Sequence, residues 1–292
     1  MNASARNLAL LIFLAFVWGA SNLLIKLAVA TMPPLMVAAV RILSALMLLL
    51  GFAWMTRARI PREVSTWRAL LPVSLFGYVL PPFLIAFGQQ RIDAGATAIA
   101  IGAVPIFTAL LSQLVLRTER LSAMAAFGLL LGFSGIVVLI GPSAFNELDH
   151  NLAGFAAVIG AAFSYALTNI FARGTRGLNL AAAGSAVLIG ASVILVPASL
   201  AADRAWMIEP SLISILATVA LGLVSTGLGL ILFFKLFERT GPTYVSTVNY
   251  LTPAVGVLLA VTILSEPLRW ADVAALALIL VGVGAVGLGR GR

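Results

Sequence analysis

"AFVWGASNLLIK", residues Ala15 to Lys26, returns about 147 positions later as "AFSYALTNIFAR", residues Ala162 to Arg173. Phe16 falls on Phe163, Trp18 on Tyr165, Asn22 on Asn169 and Lys26 on Arg173. A second pair, "VPIFTALLSQLVLRTERL" from Val104 and "TPAVGVLLAVTILSEPLRW" from Thr252, aligns with a one-residue gap, setting Pro105 on Pro253 and Glu119 on Glu266. The chain therefore divides into two related halves, 1–145 and 146–292. Their relative direction depends on how often each crosses whatever the apolar runs cross.

Those runs dominate the composition, which is 62% apolar and only 10% charged. Low-charge stretches of about 18 to 25 residues follow one another, each long enough for a hydrocarbon core about 30 Å thick. They predict spans near 8–30, 34–55, 69–88, 94–116, 122–141, 152–172, 180–199, 211–234, 243–264 and 271–288. The first run lacks a polar flank after a small-residue cleavage site and reads as a span, not a removed signal. Five spans per half is an odd number, so the second half enters the bilayer from the opposite side. The expected fold is an all-α polytopic membrane protein, ten transmembrane helices in two inverted-topology five-helix repeats, an arrangement suited to alternating-access transport.

Arg and Lys set the direction. With the N-terminus inside, thirteen cationic residues fall on the cytoplasmic side and three (Arg91, Arg204, Arg269) on the other. Short cytoplasmic loops carry this excess in membrane proteins, so both termini are expected in the cytoplasm. The formal charge of +8 is then a topology signal and does not imply a nucleic-acid partner. Lys26 and Arg41 fall inside predicted spans.

Several chemistries are excluded or left without parts. The chain has no cysteine, and its one histidine, His150, sits in the polar connection "NELDHN". No metal site, cofactor or enzyme activity is expected. A "GxxxxGK[ST]" stretch is absent, so the chain carries no ATPase of its own, and no ATPase subunit is inferred. All ten acidic residues fall in connections or near span ends, with Glu119, Glu238 and Glu266 closest to the membrane. Proton-coupled pumps usually use a deep carboxylate, so the expectation is a facilitator following the substrate gradient or a coupling route not visible in these residues. The partners are a small-molecule substrate and the bilayer, with a monomer favoured.

Polar side chains in hydrocarbon turn inward, and they mark the candidate path. Trp18, Ser21, Asn22 and Ile25 share one helical face, and Tyr165, Thr168, Asn169 and Ala172 repeat it. Asn22 and Asn169 serve either as substrate ligands or as helix-to-helix hydrogen bonds. In "FGYVLPPFLIAF" Tyr78 lies near mid-depth and offers a hydroxyl to a carboxylate or amine, with Pro81 and Pro82 just beyond, while Phe83 and Phe87 suit lipid. Pro105 and Pro253 each remove an N–H at mid-span, kinking helices that act as gates or simply pack. "TYVSTVNYLTP" makes the ninth span the most polar, so Asn249 and Tyr250 are the leading substrate contacts. Lys26, near the outer end of the first span, either snorkels to the headgroups or faces the path. Arg41 either bonds a neighbouring helix or receives a substrate carboxylate. "GLLLG" at Gly128–Gly132 and the Gly282, Gly284 and Gly287 series read as packing surfaces.

"WGASN" in the first span, "AAVR" at Ala38 to Arg41, and Pro105 followed by Glu119, Arg120 and Leu121 resemble the EamA family of the drug/metabolite transporter superfamily. The second half repeats the pattern as Pro253, Glu266, Pro267 and Leu268, then "VGVGAVGLG". The resemblance covers almost the whole chain and implies ten helices in two inverted halves, a bacterial inner-membrane location and export of small metabolites. Within the family the chain looks most like bacterial amino-acid exporters, including those for aromatic amino acids. The pattern departs at Tyr165, where its partner has Trp18, and at Leu188, which stands where Arg41 would recur. The expected function is export of neutral or aromatic amino acids such as threonine, methionine or phenylalanine through a central cavity. Other hydrophobic metabolites, drugs or a lipid carrier are the alternatives.

Overall fold

The computed structural model describes residues 3–116, 123–140, 150–172, 178–204, 207–240, 244–245 and 248–289. These residues form helices joined by short connections, with no strand among them. In chain order they are α1 Ala3–Ala28, α2 Pro34–Met55, α3 Val64–Ser74, α4 Leu80–Gln89, α5 Ala94–Ile101, α6 Val104–Leu116 and α7 Ala123–Ile140. Then follow α8 His150–Phe171, α9 Leu180–Asp203, α10 Leu212–Ala220, α11 Gly229–Thr240, α12 Val248–Ile263 and α13 Trp270–Gly289. A π-helical segment, π1, Leu75–Val79, welds α3 to α4, and another, π2, Leu221–Leu228, welds α10 to α11.

The chain is an all-helical membrane protein. By length and composition seven helical segments can cross a bilayer, among them the welded Val64–Gln89 and Leu212–Thr240. Shorter apolar helices occupy Ala123–Leu139, Leu251–Ile263 and Trp270–Val286, where the fifth, ninth and tenth spans are expected. Local chemistry sets several ends. Pro34 opens α2, where a missing N–H costs nothing. The Asn179 side chain accepts from Ala182 N at 3.1 Å to start α9, and Ser211 accepts from Ser214 N at 3.2 Å to start α10. α9 stops at Arg204, whose φ of 49° is left-handed.

Lipid tails are as apolar as leucine, so helix association here depends on close contact, with little hydrophobic drive. Glycine supplies it between α7 and α13: a Cβ on Gly128 would lie 2.6 Å from the Gly282 carbonyl oxygen, and a Cβ on Gly282 equally close to that of Gly128. Gly284 departs from the packing expectation, because nothing lies within 4 Å of its Cβ position. Gly287 is outside the residues whose surroundings are described. Elsewhere α1 packs on α12 and on the α10–α11 rod, α8 on α5, α6 and the α3–α4 rod, and α2 on α9. Trp54 and Trp270 project outward at helix ends, 84% and 88% exposed, as interfacial anchors do.

Candidate functional site

The two π segments stand at corresponding places in the halves, and each carries a side chain of the same cluster. Tyr78 lies in π1 and Thr226 in π2. Wide turns of this kind concentrate at functional positions. In π1 the cause is legible: Pro81 and Pro82 lack the N–H groups that would bond back into it. The Phe76 carbonyl so released accepts instead from Ser164 Oγ of α8, at 2.7 Å. In π2, Thr226 Oγ1 turns back to the Leu221 carbonyl five residues earlier, at 3.3 Å. Glycine brings a neighbouring helix close to each segment. A Cβ on Gly222 would lie 2.5 Å from the Arg41 carbonyl oxygen, and one on Gly77 2.9 Å from Thr168 Cγ2.

Arg41 of α2 reaches π2. Its Nε donates to Thr226 Oγ1 at 2.8 Å. Tyr165 of α8 and Tyr78 are its electrostatic neighbours. The packing agrees, since Tyr165 lies against the cluster holding Val37 and Leu221, and Tyr78 against the one holding Ala38, Ile42 and Leu188. All three side chains are half-buried. Among the described residues no partner bonds the terminal nitrogens of Arg41 or either phenol hydroxyl. The one ion pair among them, Arg269 with Asp272 at 3.0 Å, lies at the start of α13. A guanidinium inside a membrane protein without a carboxylate is expensive, and an arriving anion would relieve that cost.

The remaining sequence-selected residues go elsewhere. Lys26 Nζ donates to the carbonyls of Gln89, 3.0 Å, and Ile92, 2.8 Å. Its charge therefore sits at the C-terminal end of α4, where a cation is favoured. Buried Asn22 accepts from Gln89 Nε2 at 3.2 Å, while Gln89 Oε1 has no partner. Trp18 stacks on Phe233 with centroids 5.8 Å apart, its indole seated over Gly229. Asn169, exposed one turn beyond Tyr165 on the same face of α8, donates to Thr108 Oγ1 at 3.1 Å.

Asn249 is exposed on α12, and the side chain of Tyr250 lies outside the described residues. Pro105 follows the break at Gly102–Ala103 that separates α5 from α6. Pro253 stays within α12, its Cγ 3.0 Å from the Cβ position of Gly102 at that break. Phe83 and Phe87 are half-buried, with the Arg91 guanidinium 3.7 Å above the Phe87 ring. Glu119, Arg120 and Leu121 are outside the described residues.

Thr226 was not among the sequence candidates. The repeat offset supplies the signal, because adding 147 to Tyr78 lands on Ser225, a buried hydroxyl without a partner beside Thr226.

The end of the bundle bearing the α1–α2 turn is tied across the halves. Ala94 N and Gly95 N both donate to the Glu266 carboxylate at 2.9 Å, capping α5 from the α12–α13 connection. Thr31 Oγ1 donates to Ser214 Oγ at 2.8 Å, and Ser214 to the Leu27 carbonyl at 2.8 Å.

An all-helical membrane bundle with a guanidinium held beside its two π segments, without an acidic partner among the described residues, is suited to carrying a small molecule. The model of the EamA-like transporter family matches residues 6–141 and again 152–288, and the chain belongs to that family. It is 29% identical to the inner membrane transporter YedA of Escherichia coli (strain K12), over 95% of this chain and 89% of that one. A "Probable amino-acid metabolite efflux pump" of Salmonella typhimurium is 30% identical, over 94% of this chain and 92% of its own. A crystal structure at 18% identity superposes with a TM-score of 0.67, covering 98% of this chain and 99% of the other, a likeness of fold.

Proposed function

We propose that this membrane transporter is an alternating-access exporter of small carboxylate-bearing metabolites, neutral and aromatic amino acids among them, with Arg41 anchoring the carboxylate. The observation that carries the reading is the guanidinium of Arg41, bonded through Nε to Thr226 Oγ1, with no partner for its terminal nitrogens among the described residues and with Tyr78 and Tyr165 as its electrostatic neighbours. A planar fork of donors fits a carboxylate edge-on.

Ten spans in two inverted halves are supported by the packing, which is reciprocal under exchange of the halves: α1 with α12 answers α8 with α5 and α6, and α1 with the α10–α11 rod answers α8 with α3–α4. The doubled family match supports it too. The bonds around Glu266 and Thr31 close the periplasmic end in this reading, while Asn169 and Asn249 line the cytoplasmic approach. Location in the inner membrane is supported by the YedA relative, and both termini in the cytoplasm by the Arg and Lys distribution. The name of the Salmonella typhimurium relative supports amino-acid metabolites as cargo. Counterflow in proteoliposomes against labelled amino acids and related carboxylates tests it. Exchange abolished by Arg41→Gln in a monodisperse protein is expected, and unchanged exchange in that variant would reject Arg41 as the anchor.

A further inference from the structure

Resting on that reading, we infer that the site prefers hydrophobic monocarboxylate anions lacking an ammonium group, such as 2-oxo, 2-hydroxy and N-acyl acids, to zwitterionic amino acids. The reason is an asymmetry of charge. Around Arg41 the structure supplies a guanidinium, two free phenol hydroxyls and the apolar walls that hold Tyr78 and Tyr165. No carboxylate to receive an ammonium stands there among the described residues.

The described acids are placed otherwise. Glu266 is spent on Ala94 and Gly95, Asp272 on Arg269 and Asp203 on Ser199, while Glu63, Asp93, Glu209 and Glu238 lie at helix ends or in connections. The rings of Tyr78 and Tyr165 could hold a cation, but the Arg41 charge beside them opposes it. A zwitterion would thus leave its ammonium desolvated without a counter-charge, whereas a monoanion would leave nothing unpaired.

An energetic consequence follows. A monoanion carries charge across the bilayer, and an inside-negative potential of about 100 mV favours it on the outside by about 50-fold. Net export would then be driven by the membrane potential without a deep proton-binding carboxylate.

The test uses the full chain in proteoliposomes with the potential clamped by potassium and valinomycin, and three probes sharing one ring: phenylpyruvate, phenyllactate and phenylalanine. The expected result is counterflow of the two anions at least ten-fold faster than of phenylalanine. Net movement of the anions should speed up when the receiving side is made positive. Arg41→Gln should abolish it, and Tyr78→Phe and Tyr165→Phe, which keep the rings, should raise the anion KM several-fold. Phenylalanine carried as fast as the anions, or anion flux indifferent to potential, overturns the inference and leaves the exporter reading standing. Movement of none of these or of other carboxylates overturns both.

Discussion

Arg41 and Thr226, 185 residues apart, are joined by a 2.8 Å hydrogen bond from Nε to Oγ1, and that one bond decides which way the guanidinium faces. Thr226 sits in a π segment, so its hydroxyl lies where an ordinary helical turn would not have put it. Held at Nε, the guanidinium has Tyr78 and Tyr165 as electrostatic neighbours and no partner for its terminal nitrogens among the described residues.

Thr226→Val keeps the side-chain shape and removes the acceptor. Hydrogen bonds to charged groups contribute about 1.5–3 kcal/mol, so the KM for a carboxylate substrate should rise about ten-fold or more, with Thr226→Ser restoring it. Substrate titration of counterflow in the two variants checks this, and an unchanged KM in Thr226→Val would show that the orientation of Arg41 is set by something else.

Lys26 predicts a different outcome, although it is the other cation within a span. Lys26→Met leaves the last carbonyls of α4 without their donor and should cost about 1–3 kcal/mol of stability. Thermal unfolding in detergent should shift down by several degrees, while relative rates among substrates stay as in the parent. A changed substrate ranking would place Lys26 in the path after all.

Thr31 and Ser211 tie the α1–α2 turn to the start of α10, with Ser211 N donating to Thr31 Oγ1 at 3.0 Å. The chain has no cysteine, so a Thr31→Cys, Ser211→Cys pair introduces the only thiols. Bridging them with a short bifunctional thiol reagent should stop transport, and reduction should restore it. Full transport by the bridged protein would exclude opening at that end.

Gly128 and Gly284 separate packing from composition. Gly128→Val drives a methyl into the Gly282 backbone and should abolish monodisperse protein, since backbone cannot yield as a side-chain tip does. Gly284→Val, with open space around it, should be neutral within about 0.5 kcal/mol. The yield and melting point of the two variants measure the difference.

Ser164→Ala withdraws the hydroxyl that satisfies the Phe76 carbonyl. An orphaned acceptor in this setting costs about 1–3 kcal/mol. π1 should loosen, seen as faster amide exchange at 76–80, and transport should slow through the displacement of Tyr78.

The helices were legible because lipid leaves a backbone few options: each N–H and C=O must be satisfied within its own segment, and a run such as 34–55 of nearly unbroken apolar residues can do that only as a helix. The repeat marked Trp18, Asn22, Tyr165 and Asn169 as special without assigning them roles. Asn22 went to Gln89 and Asn169 to Thr108, and nothing in the matched residues distinguishes those fates.

What the sequence determined alone was the inventory: apolar runs, two related halves, their cationic ends, and the prolines that force π1. The tertiary structure decided the use of each charge. Lys26 in the last turn of α1 and Arg41 two turns into α2 are both cations inside apolar helices, yet one meets carbonyls from 63 and 66 residues away and the other a hydroxyl from 185 away. Hydropathy and periodicity report how one segment meets its solvent. The partner of a side chain is chosen by whichever distant helix packs beside it, and that depends on glycine contacts such as Gly222 against the backbone of Arg41.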